Sequence, residues 1–197
     1  MSVPKIKTAN RIILVICGLA LLSVIVLPIW RIELQAAQYP EGLELLIYSN
    51  KLDGNVEIIN GLNHYIGMRE LREDDFVEFK VLPYIIGLFG LSFIVVALVG
   101  RPRYLYGLFF GFLAFGVVAM IDFWRWLYEY GHDLDPTAPI QVPGMAYQPP
   151  LLGFKQLLNF GAYSIPDIGG WIFVGCGVVL ALTSLIEWRL RSKTNLK

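Results

Sequence analysis

The chain has 197 residues; 56% are hydrophobic, only 16% are charged, and sixteen Lys and Arg balance sixteen Asp and Glu. Together with a mean hydropathy of +0.58, this excludes an ordinary soluble domain, a disordered chain and a basic nucleic-acid binder. Two cysteines, Cys17 and Cys176, are too few for a disulfide framework or a zinc site.

Four stretches reach the ~20 apolar residues that a helix needs to cross about 30 Å of hydrocarbon: 12–30, 81–100, 104–126 and 168–186. In lipid each must be helical, because only a helix satisfies its own backbone polar groups. The first follows Lys5, Lys7 and Arg11, but it outruns the ~7–15 apolar residues of a signal peptide. No small-residue cleavage site follows it, so it reads as an uncleaved anchor. The expected architecture is an all-α, four-transmembrane-helix bundle forming a single membrane domain over 1–197, with two structured loops, 31–80 and 127–167.

Charge sets the direction. Lys5, Lys7, Arg11, Arg101, Arg103, Arg189, Arg191, Lys193 and Lys197 gather on one side with one acid, Glu187. The other side holds seven basic residues and fifteen acids, counting Asp122 near the end of span three. Lys and Arg favour the cytoplasmic side. Both termini are therefore expected in the cytoplasm of a bacterium, the chain multi-pass in the inner membrane, and both loops outside. Trp30, Trp124, Trp126, Tyr128, Tyr130 and Trp171 would mark the outer interface and Trp188 the inner one.

In the first loop, 43–48 and 56–59 look strand-like, with Asp53-Gly54 between them as a short hairpin signal. The second loop carries five prolines between 136 and 150, which predicts an extended wrap, and 151–160 reads as a short interfacial helix. Within the spans, Gly107/Gly111 continues through Ala114 and Val118, and Gly177/Ala181 is flanked by Gly170 and Ser184. Such small faces serve either internal helix packing or homo-oligomer contacts. Cys17 and Cys176 read as packing residues. Asp122, with Arg125 three residues on, is either an interfacial ion pair or a group in ion or metal handoff.

The scarce metal-binding side chains fall outside the spans. His64 precedes Met68, and His132 precedes Met145, one pair in each loop. Imidazole plus thioether suits Cu(I), a soft ion, and the i, i+4 spacing of His64 and Met68 puts them on one face if that piece is helical. Asp133 and Asp135 would then hold a histidine tautomer from the second shell of ligands. Polar structural contacts, or bis-histidine haem, are the other uses of these residues. No nucleotide-binding, hydrolase or zinc-protease motif is present, so catalysis is not expected.

The stretches Leu62-Asn63-His64-Tyr65-Ile66-Gly67-Met68, His132-Asp133-Leu134-Asp135-Pro136 and Pro143-Gly144-Met145-Ala146-Tyr147-Gln148-Pro149-Pro150 resemble those of small membrane proteins encoded with nitrous oxide reductase gene clusters. The resemblance covers most of the chain and implies accessory work for a periplasmic copper enzyme; it supplies no ligand residues. Three expectations therefore stand: a membrane-anchored accessory factor handling Cu(I) at the periplasmic face, a non-catalytic scaffold or subunit of a larger membrane complex, and a transport component of an oligomer. Partners would be the lipid bilayer and other membrane or periplasmic proteins, with no nucleic acid.

Overall fold

The computed structural model describes residues 5–157 and 159–194, without the side chains of 193 and 194. The basic side chain of Lys193 and all of Lys197 lie outside the described residues. The element order is α1 (Thr8–Ser23), β1 (Trp30–Ala36), β2 (Tyr39–Ile47), β3 (Leu52–Gly54), α2 (Val56–Ile66), α3 (Glu78–Val99), α4 (Pro102–His132), β4 (Gly153–Leu157), β5 (Phe160–Pro166) and α5 (Ile168–Thr194).

Among the described residues, four helices are long and apolar enough to cross a membrane: Thr8–Val26, Glu78–Val99, Pro102–His132 and Ile168–Ser192. Their outward side chains are apolar, with Ile16, Leu19, Leu88, Leu98, Phe110 and Val118 all more than half exposed. A girdle of that kind is stable against lipid tails and costly against water. Leu14, Leu21, Phe93, Leu105 and Leu180 close the bundle core. α1 and α3 approach closely at Gly18 and Gly90: a Cβ on Gly18 would lie 2.7 Å from the Gly90 carbonyl oxygen.

The all-α expectation is overturned. A five-stranded antiparallel sheet, in the order β3-β2-β1-β5-β4, caps one end of the bundle. α1 feeds β1 and β5 feeds α5, and these two strands pair over their whole length, from Trp30↔Pro166 to Ala36↔Phe160. β1 alternates: Trp30, Ile32 and Ala36 are buried, while Arg31 and Glu33 sit on the other face. There Arg31 reaches Glu33 at 3.2 Å, Glu44 at 3.5 Å and Asp167 at 3.7 Å. Trp30 Nε1–H donates to Ser164 Oγ at 2.8 Å, fastening β1 to β5 from inside.

Local expectations shift with the sheet. The first span ends at Val26 rather than at 30, because Trp30 already belongs to β1. The strand expected near 43–48 is real, as part of β2, but 56–59 lies in α2. The Asp53-Gly54 pair is itself in β3, paired with Leu46 and Leu45, and the turn falls earlier, where Tyr48 N–H meets Lys51 O at 2.9 Å. The helix expected over 151–160 is replaced by β4 and the start of β5. The 133–150 wrap is extended, as its prolines require, and is tied down by Tyr147 N–H to Gly131 O at 2.8 Å.

α4 has 31 residues, so it is about 46 Å long and overshoots a hydrocarbon layer by roughly 15 Å. Pro102 opens it in the first turn, where a missing N–H costs nothing. Its far end enters the core under the sheet, where Leu127 is 1% and Tyr130 5% exposed. Trp30 meets Phe123 edge-on at 5.1 Å. Trp30, Trp126 and Tyr130 are therefore core residues of the sheet end, whereas Trp124, Tyr128, Trp171 and Trp188 stay exposed.

Candidate functional site

The residues singled out for chemistry cluster where α2 ends and α4 ends. α2 stops because Gly67 takes φ 79°, in the left-handed region, and Met68 N–H bonds back to Asn63 O at 2.9 Å. That is a glycine C-cap. Met68 thus leaves the helix and packs into the apolar core under the sheet, while His64 is exposed on α2. The shared helical face expected for this pair does not form.

The loop after α4 lies across the end of α2. Asp135 N–H donates to Gly67 O at 2.8 Å and Ile140 N–H to Tyr65 O at 2.9 Å. Arg69 pairs with Asp133 at 3.8 Å and covers the Tyr130 ring at 5.2 Å. Tyr130 donates its hydroxyl to Glu70 O at 2.8 Å. His64 is within electrostatic reach of Asp135. The Asp135 carboxyl lies below the usual Asp value, chiefly because the Thr137 hydroxyl donates to it at 2.7 Å and the Thr137 N–H at 2.8 Å.

His132 is exposed and stacked on Tyr128 at 3.9 Å, with Nδ1 2.9 Å from Tyr128 O. A carbonyl only accepts, so Nδ1 carries the proton, and in the neutral ring Nε2 keeps the lone pair. Met145 is half-buried and closes a turn over Pro143 and Gly144, its N–H 3.1 Å from Val142 O. The structure thus brings His64, Asp133, Asp135 and His132 to one end of the molecule and turns Met68 into the sheet-side core. No cluster of three or more His, Cys, Asp or Glu with metal-binding geometry occurs among the described residues.

Asp122 lies half-exposed on α4, 3.8 Å from Arg125, which also reaches Glu129 at 3.5 Å. Twenty residues beyond Pro102, it sits about 30 Å along the helix, roughly one hydrocarbon thickness from its start. The ion pair with Arg125 is the arrangement seen. The small faces divide: Gly107 and Gly111 have open space around them, whereas Gly177 packs on Phe112. Cys176 donates its thiol to Cys17 O at 3.6 Å inside the bundle, so both cysteines are packing residues there.

Sequence reasoning passed over three features. Glu187 is 3% exposed and accepts Lys7 N–H at 2.9 Å and Asn10 Nδ2–H at 2.8 Å, binding α5 to the start of α1. A small cavity of about 80 Å³ lies between the sheet, α2 and α4. A second of about 200 Å³ lies under the 134–143 segment. In sequence, the strand-like 43–48 and the strict alternation over 30–36 were the signals available for the sheet that creates them. No family model, curated protein or solved structure matches the chain.

Proposed function

We propose that the chain is a non-catalytic scaffold subunit of a bacterial inner-membrane complex. It holds both termini in the cytoplasm and presents its sheet end outside. The basic Arg101–Arg103 turn and the bases near α1 and α5 support that direction. One observation carries the scaffold role: the sheet and the α4 overshoot share a single core through Trp30, Phe123, Trp126, Leu127 and Tyr130. A platform held in this way keeps a fixed height and angle above the bilayer, which a docking subunit needs and a tethered loop lacks. The β4 edge, with Phe154 58% exposed, is where a partner surface is expected. Tagged protein extracted from its native membrane in mild detergent should retain a stoichiometric partner, and Phe154→Glu should release it. A monomer without stable partners would sink the proposal.

Cu(I) handling in the maturation of a copper enzyme such as nitrous oxide reductase is a second possibility, resting on the histidines. Exposed His132 has the backbone-held Nδ1 common to metal ligands, with Nε2 as the lone-pair nitrogen of the neutral ring, and the loop that follows it is bonded to the helix carrying His64. Titration with Cu(I) against a competing chelator decides. Unchanged affinity in a His64→Ala/His132→Ala variant would remove this role.

A further inference from the structure

The two cavities at the sheet end share a wall. The smaller is lined mainly by apolar side chains from the sheet, α2 and α4, among them Ala36, Leu45, Ile59 and Leu127. The larger is bounded by Asp135, Pro136, Gln141 and Val142. Ile66 and Tyr147 line both. Tyr147 is 2% exposed, and its buried hydroxyl has no hydrogen-bond partner among the described residues. Buried polar atoms without partners are rare in folded proteins and mark places where another group belongs.

We infer that the two cavities form one binding site for a small amphiphile with an alkyl body and an ammonium head. The body occupies the apolar chamber. At about 80 Å³ the chamber is smaller than the ~150 Å³ cavity that holds benzene, so it takes a short or branched alkyl group rather than an aromatic ring. The head occupies the larger chamber, at whose solvent side the exposed Asp135 is a lining residue. Asp135 Oδ1 is engaged by Thr137, which orients the carboxylate and leaves Oδ2 as the acceptor for a cation. Gln141 Nε2 donates to Pro136 O and Ala138 O, so the amide offers its oxygen to a donor. Tyr147 lines both chambers, and its unpartnered hydroxyl is offered to the bound molecule. Together the chambers approach the lower end of the ~300–1,000 Å³ typical of small-ligand sites.

The probe is isoamylammonium, titrated into the full chain in phosphatidylcholine nanodiscs and followed by saturation-transfer NMR. Saturable binding is expected, with the methyl protons receiving the strongest transfer. Asp135→Asn keeps the oxygen that Thr137 uses and should weaken binding at least fivefold; isoamyl alcohol should bind the unaltered protein at least fivefold more weakly than the amine. Ala36→Leu fills the small chamber and should abolish binding. If its melting curve shows unfolding, the Asp135→Asn and alcohol comparisons decide alone. A non-saturable signal, an equal signal from empty nanodiscs, or unchanged affinity in Asp135→Asn overturns the inference.

Discussion

At the scale of single residues, the polar groups that matter work across long sequence distances. Glu187 places a carboxylate at the N-terminus of α1, where the helix dipole and the unpaired N–H groups favour an anion. Its removal leaves Lys7 N–H and Asn10 Nδ2–H without their acceptor. Glu187→Ala should therefore lower stability by about 1–3 kcal/mol, and Glu187→Gln, which keeps an acceptor oxygen, by less; thermal unfolding in detergent measures both. Asp135 offers a second test. Its carboxyl is held low chiefly by the Thr137 hydroxyl, so it stabilises the turn at pH values above the ordinary Asp range. That contribution is lost as pH falls through the depressed folded value. Thr137→Ala should move the Asp135 titration, followed by carboxyl carbon NMR, up toward the ordinary Asp value. Sequence reasoning found Asp135 because it stands beside a scarce histidine. It could not find the role of Glu187, whose partners lie 177 and 180 positions away. The shared face of His64 and Met68 required a helix through Met68, and the helix carrying His64 stops at Gly67, where φ turns positive.

At the scale of elements, legibility followed periodicity. The four spans declare themselves by length and hydropathy, and the structure moves their ends by up to six residues. β1 was legible too: Trp30, Ile32, Leu34 and Ala36 alternate with Arg31, Glu33 and Gln35, the period-2 pattern of a half-buried strand. The sequence reading instead stretched the first span to Trp30. β5 was not legible, because its inward positions hold the small Ala162 and Ser164, each 0% exposed, which give no hydrophobic signal until β1 lies beside them. The glycines show the same dependence on context. Gly18 and Gly90 sit where α1 and α3 nearly touch, and a Cβ on Gly90 would come within 2.8 Å of the Leu22 side chain. Gly18→Ala and Gly90→Ala should each destabilise the bundle by about 1–3 kcal/mol through overpacking. Gly107→Ala and Gly111→Ala meet open space and should leave it unchanged or up to ~1 kcal/mol more stable, since Ala favours helix over Gly. Denaturant titrations of the four variants side by side would separate the two classes.

At the scale of the whole molecule, two apolar cores are stacked along one long helix. The bundle core lies among α1, α3, α4 and α5; the second core lies under the sheet and includes α2 with the last turns of α4. The chain passes between them by direct joins: Ile29 N–H bonds to Ile47 O at 2.8 Å, and Gly169 N–H to Pro28 O at 2.8 Å where α5 leaves the sheet. Ser49 Oγ–H adds a third tie, to Ile25 O at 3.0 Å. Such joins leave little room for the sheet to swing as a separate body. Leu127 tests whether the platform is a cooperative unit, because it is fully buried on α4 yet belongs to the sheet-side core. Leu127→Ala removes packing worth about 2–5 kcal/mol. If sheet, α2 and α4 overshoot open together, amide exchange in β1, β2, β5 and α2 should accelerate by a common factor. Amides of α1 and α3 around Gly18 and Gly90, which rest on the other core, should keep their protection. Acceleration confined to the turns of α4 next to Leu127 would mean that the sheet is held by its strands alone, and the fixed-platform basis of the scaffold role would be lost.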